Sequence, residues 1–205
     1  MSLAYALGFV FVAAFLANVS PFFGASYTLL AALQLGYVGY TPANFAAIVF
    51  ASALGATLAK VVIYYGAFGL KKQLKRNKNI QLIGRNASTG KFYAVLFGTA
   101  LLPILPLDDF IFIGAGATGA SIAIMSAVTM AAKVVKSAVE VALEFAILRD
   151  VGDAFGFNSI EATVALSAVF LLIGIAIYKL DWGKTFAWLK GSRSRSNAGV
   201  QGKRL

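Results

Sequence analysis

The chain of 205 residues has no cysteine and no histidine. Without cysteine it can form no disulfide, hold no iron–sulfur cluster and offer no thiolate to a metal. Without histidine it lacks the commonest metal ligand and the usual near-neutral proton carrier. No Ser/His/Asp or Cys/His set can exist, so the chain is not read as an enzyme, and neither a cofactor nor a metal is expected. Acids are scarce as well: 8 Asp and Glu stand against 18 Lys and Arg, a net charge of +10.

What is abundant is apolar surface. The hydrophobic share is 60% and the mean hydropathy is +0.80, too apolar for a soluble domain of this length. The composition predicts an all-α integral membrane protein with one membrane domain, 1–181, and an interfacial and basic tail, 182–205. Met1 to Ala17 is apolar but has no positive n-region, so it reads as mature structure rather than a signal peptide.

The charge is unevenly placed. Lys71, Lys72, Lys75, Arg76, Lys78, Arg85 and Lys91 follow one another with no acid among them, and Lys184, Lys190, Arg193, Arg195, Lys203 and Arg204 crowd the end of the chain. Short basic loops stay on the cytoplasmic side, which assigns the loop 71–91 and the C-terminal tail there. The connection with Asp150, Asp153 and Glu161 carries only Arg149 as a base and is assigned to the outside. Membrane topology explains these basic runs without nucleic acid, which is not expected as a partner. Trp182, Phe186 and Trp188 among Lys184 and Lys190 read as a short interfacial anchor, and Gly191 to Leu205 as a disordered, topogenic tail.

Segment lengths divide the domain. A spanning helix needs about 20 residues at ~1.5 Å each to cross ~30 Å of hydrocarbon. Thr41 to Leu70 and Ser121 to Arg149 pass, and a last span at 160–179 passes narrowly. Phe92 to Leu102 reaches only ~17 Å before Pro103 and Pro106, which lack an N–H and disfavour helix at the residues before them. It should turn there and return through Phe110 to Ala120. Leu3 to Ala17 and Phe22 to Gly36 are equally short and flank a break at Asn18, Ser20 and Pro21. The chain therefore reads as two repeats, about 3–70 and about 92–149, each a proline-broken re-entrant hairpin plus a long helix. The hairpins enter from opposite faces, so the repeats are inverted. Ordinary tilted pairs of spans are the alternative, more readily for the first hairpin than for the second. In letters, Gly55 to Lys60 followed by two valines echoes Ala131 to Lys136.

Two acids lie inside the second hairpin. Asp108 and Asp109 are the only charges between Phe92 and Met130. A charge at membrane depth is expensive and normally faces a partner or a polar cavity, and a broken backbone there must be surrounded by protein or water. Lys133, Lys136, Glu140 and Glu144 recur at spacings of three, four and four, which puts them on one helical face. In lipid that face must turn inward. The bland reading is a set of internal ion pairs, but apolar residues would pack as well, because buried pairs are poor sources of net stability. Lys60, with Thr57 and Tyr64 on its face, is available to pair with Asp108 or Asp109. Asp108 and Asp109 could also serve acid–base chemistry, but adjacent carboxylates diverge in direction and no nucleophile accompanies them.

These residues resemble a family. Asn18-Val-Ser-Pro21 with the small-residue run to Gly36, and Leu54-Gly55-Ala56 running into Tyr64-Tyr65-Gly66, are similar to the first half of the DedA/VTT-domain (SNARE-associated Golgi protein-like) membrane proteins. Leu105-Pro106-Leu107-Asp108-Asp109 followed by Gly114-Ala-Gly116 resembles the family's Pro-x-Asp-Asp turn, and the helix with Lys133 and Lys136 its basic helix. The resemblance covers roughly Phe11 to Arg149. It implies movement or scrambling of phospholipids or polyprenyl-phosphate carriers, in some members coupled to protons or other ions. The chain also departs from the family. Phe22 to Tyr27 lacks the acid often found after the first proline, Lys60 stands where an acid is frequent, and lysines replace arginines at 133 and 136.

The resulting expectation is a lipid-moving protein. Lys60, Lys133 and Lys136 would meet an anionic phospholipid or polyprenyl phosphate, and Asp108 and Asp109 would keep the empty cavity hydrated and balanced in charge. A proton- or sodium-coupled carrier of a small anion, relaying through Asp108, Asp109, Glu140 or Glu144, and a non-transporting scaffold or assembly factor are the alternatives. The sequon Asn86-Ala-Ser88 lies on the side where no glycan is added, and Gly114, Gly116 and Gly119 read as helix-packing positions rather than a dinucleotide loop.

Overall fold

A computed structural model describes residues 2–19, 27–87, 89–102, 107–155, 158 and parts of 160–172. Among the described residues there are eight named helices and no strand: α1 Leu3–Val19, α2 Tyr27–Val38, α3 Pro42–Gly69, α4 Lys71–Leu74, α5 Lys78–Asn86, α6 Gly90–Leu101, α7 Leu107–Thr118 and α8 Ile122–Phe155. Two of them, α3 and the 122–150 stretch of α8, are long and apolar enough to cross a membrane. Ser20, Pro21, Pro103, Pro106 and the tail 182–205 lie outside the described residues, as does most of the expected span 160–179.

Local chemistry accounts for the helix starts. Thr41 is extended and its side chain accepts from the Asn44 amide at 3.1 Å, with Pro42 in the first turn. Thr89 caps α6 in the same way through the Phe92 amide. α1 runs through Asn18, whose amide donates to the Ala14 carbonyl at 2.9 Å, so Asn18 belongs to the helix and not to the break assigned to it. The basic segment 71–91, read as a loop, holds two short helices instead. Ile83 of α5 lies against Gly114 and Gly84 against Thr118, which docks α5 on α7.

The packing follows a pattern. α1 and α2 pair, as do α6 and α7; α1 lies on α3 and α6 on α8; α2 lies on α8 and α7 on α3; and α3 crosses α8. The turns repeat as well. Gly39 after α2 and Gly119 after α7 both have positive φ, 83° and 81°, a backbone that glycine adopts without strain. Each is followed two residues later by a hydroxyl residue, Thr41 or Ser121, before a long helix. These turn positions lie 80 residues apart, 39 against 119 and 41 against 121.

Two glycines set the closest crossings. A Cβ on Gly55 would strike the Phe11 carbonyl of α1, and one on Gly116 the Tyr64 carbonyl of α3. Gly66 has open space around its Cα. Gly116→Ala is therefore expected to destabilise by about 1–3 kcal/mol, since backbone must move. Gly66→Ala should instead stabilise by roughly 0.5–1 kcal/mol, because alanine replaces glycine inside a helix. Thermal unfolding of the two variants in detergent, with shifts of opposite sign, checks this. Equal shifts would mean that the α3–α7 crossing is not tight.

Candidate functional site

The site forms where α7 begins. Leu107–Thr118 starts with Asp108 and Asp109 in its first turn, where the helix dipole favours negative charge. α3 brings Lys60, flanked by Thr57 and Tyr64 on the same face, and all three are buried. α8 brings Lys133. The Lys60 ammonium donates to Asp109 Oδ1 and lies 3.6 Å from Asp108 Oδ2. Lys133 Nζ lies 3.0 Å from the same Asp108 oxygen. Asp109, Lys60, Asp108 and Lys133 thus form one alternating, net-neutral chain, each residue only 3% exposed.

Both acids converge on Lys60, against the expectation that adjacent carboxylates diverge. Successive residues on a helix do point in different directions, but a lysine has a four-carbon stem ending in a compact charge with three donors. Entering from α3 beside the first turn of α7, one ammonium reaches both.

The rest of the charged stripe on α8 is brought inward too, with different partners. Lys136 Nζ donates to the Leu102 carbonyl at 3.4 Å and lies 3.8 Å from Glu140 Oε1. It sits at the end of α6, where a cation complements the dipole and the unpaired carbonyls. Its side chain is 12% exposed, which makes it the loosest of the three lysines. Glu144 is buried and accepts from Thr28 Oγ1 of α2 at 3.1 Å. Tyr27, beside Thr28 at the start of α2, is buried as well.

Ser52, Ser126, Thr129 and Ser137 of this region were not picked out from the sequence, whereas Thr57 and Tyr64 were. Ser52 of α3 and Ser137 of α8 share a hydrogen bond at 3.4 Å, and Thr57 donates to the Met130 sulfur at 3.6 Å. Tyr64 ties α3 to the end of α7 by donating to the Ala120 carbonyl at 2.6 Å. Ser126, Thr129 and Ser137 precede and follow Lys133 at spacings of seven, four and four. Thr129 and Ser137 are fully buried, and Ser126 carries a buried hydroxyl. That spacing was a readable signal, extending the charged stripe along most of α8.

Asp108 and Asp109, expected to face a polar cavity, are taken up by the ammonium groups of Lys60 and Lys133, which join α3, α7 and α8. Two clefts, of about 810 and about 450 Å³, lie beside α5 and are lined by other residues. The described residues contain no cluster of three or more acids with metal-ligand geometry. In sequence the chain matches no family model and no curated protein, and no solved structure matches its fold.

Proposed function

We propose that the chain is a DedA/VTT-type membrane protein that moves phosphate-bearing lipid between leaflets. The observation that carries this reading is the buried, net-neutral chain of Asp109, Lys60, Asp108 and Lys133 at the start of α7. Buried ion pairs add little net stability, whereas lysines already desolvated and held by carboxylates can exchange those carboxylates for a phosphate. Lys136, at the end of α6 and partly exposed, is the cation a headgroup meets first. Half-helix ends facing a midplane region are a common way for transporters to bind anions.

The re-entrant and inverted layout belongs to this proposal. α6 and α7 have 12 residues each, ~18 Å of helix, too short to cross singly. Part of the contact scheme is symmetric when α1, α2, α3 exchange with α6, α7, α8: α1 on α3 answers α6 on α8, and α2 on α8 answers α7 on α3, whereas α2 on α3 has no comparable α7 on α8 contact among the described residues. The outer faces of the long helices expose Phe50, Leu58 and Val62 of α3 and Val135, Val139 and Leu143 of α8, apolar residues suited to lipid. In this reading 71–91 is cytoplasmic and the loop near Asp153 is outside.

The test is reconstitution into liposomes with fluorescent phospholipid or polyprenyl phosphate, and transbilayer movement well above that of empty vesicles is expected. Movement no faster than background for every headgroup would refute transport. In the same vesicles Ser88→Cys and Ser121→Cys should react with an impermeant thiol reagent from the same face. Labelling from opposite faces would mean that 92–120 crosses the bilayer and would remove the re-entrant hairpin. A second reading, an ion-coupled carrier of a small anion, is favoured by the buried Glu144 with Thr28; solute uptake that responds to an imposed pH or sodium gradient would select it.

A further inference from the structure

The charged network leaves unused the cleft on the α6 flank of α5. This groove of about 810 Å³ is walled by Leu82 and Ile83 of α5, Phe92 and Val95 of α6 and Ile111 of α7, with exposed Lys91 among its lining residues. Its volume lies within the roughly 300–1,000 Å³ of small-molecule sites. The wall is apolar and open: Leu82 is 61% and Val95 57% exposed. Around it the segment from Lys71 to Lys91 carries seven bases and no acid, and Lys75 and Arg85 line the cleft on the other flank of α5. We infer that the α5–α6 groove is a binding site for one anionic phospholipid, an acyl chain lying along Leu82, Ile83, Phe92 and Val95 and the phosphate meeting Lys91.

The occupant follows from the two halves of the groove. An apolar trough with a single basic residue fits a molecule with a long apolar chain and an anionic end. A soluble anion would leave the trough uncovered, and a zwitterionic lipid would gain less from a segment with seven unopposed bases. Bound there, the lipid would brace α5 against α6 at the entrance to the second hairpin. The inference rests on the membrane reading of the chain and not on transport.

The experiment titrates the full chain in neutral detergent with phosphatidylglycerol or with phosphatidylcholine of the same acyl chains, and counts retained lipid by native mass spectrometry. One phosphatidylglycerol should be held about fivefold more tightly than phosphatidylcholine, the factor one lysine near an anionic group supplies. Lys91→Ser should weaken that preference. Val95→Trp, which fills the groove, should lower retention of both lipids, and Leu82→Trp on the facing wall provides the same readout if Val95→Trp does not fold. Leu143→Trp on the outer face of α8 should change neither. Equal retention of the two lipids by the unmodified chain, an unaltered preference in Lys91→Ser, or displacement of phosphatidylglycerol by an equal concentration of glycerol phosphate would each overturn the inference. A chain that fails to move lipid in liposomes yet retains phosphatidylglycerol this way separates this site from the proposed transport.

Discussion

Lys60→Met is expected to destabilise the protein by about 3–5 kcal/mol, the cost of leaving a buried charge without its partner. The reason lies in the ordering of the network. Asp109 has Lys60 as its ammonium contact, while Asp108 keeps Lys133 at 3.0 Å when Lys60 is removed. The orphan is therefore Asp109, and Lys60→Met combined with Asp109→Asn should recover most of the loss. Methionine matches the lysine stem in length, so the α3–α7 packing set by Gly116 against the Tyr64 carbonyl need not change. Thermal or denaturant unfolding of the two single variants and the double variant forms a cycle, and a coupling well above the scatter of independent sites is expected. Additive losses would mean that the Lys60–Asp109 contact is not an energetic unit.

Lys136→Ala should behave in the opposite way, sparing the fold and reducing lipid movement by roughly ten- to hundredfold. Its contacts are long, 3.4 Å to a carbonyl and 3.8 Å to a carboxylate, so its removal leaves no tightly held partner behind. If Lys136 receives the phosphate during passage, the loss is that of a charge-assisted hydrogen bond, about 1.5–3 kcal/mol. Lys136→Arg, which keeps the charge and adds a planar fork suited to phosphate, should retain most of the rate. Liposome assays on protein of matched unfolding temperature make the comparison. A rate within twofold of the unmodified chain for Lys136→Ala would remove Lys136 from the pathway while leaving the network of Lys60 and Lys133 untouched.

The two variants separate two kinds of charge that look alike in sequence. Lys60 is the lone base of α3 and Lys136 belongs to the charged stripe of α8, but helical spacing does not say what each one meets. Their difference arises from what faces them: two carboxylates at the start of one helix, or a carbonyl at the end of another.

Much of the layout was legible in the chain. The long helices α3 and α8 follow from uninterrupted apolar stretches with a capping Thr41 or a preceding Ser121, and their starts fall within a residue of the expected positions. The inward face of α8 follows from the spacing of Lys133, Lys136, Glu140 and Glu144, and that of α3 from Thr57, Lys60 and Tyr64. These are local properties, set by the helical period and by the unfavourable burial of charge, and a linear sequence carries them in full. The two short helices within 71–91 were hidden because their bases dominate the composition. What decides them is the fit of Ile83 and Gly84 onto Gly114 and Thr118, residues of a different helix.

Which charges meet was decided only by the tertiary structure. The Lys60–Asp109 contact joins residues 49 apart, and Thr28–Glu144 joins residues 116 apart. An ion pair depends on a distance of a few ångströms across two helices, and for Lys60 and Asp109 those helices, α3 and α7, approach closely at Gly116. The positive φ of Gly39 and Gly119 just before the two long helices was likewise visible only in the folded backbone, because glycine is common in this chain and its letter alone does not say which copies turn.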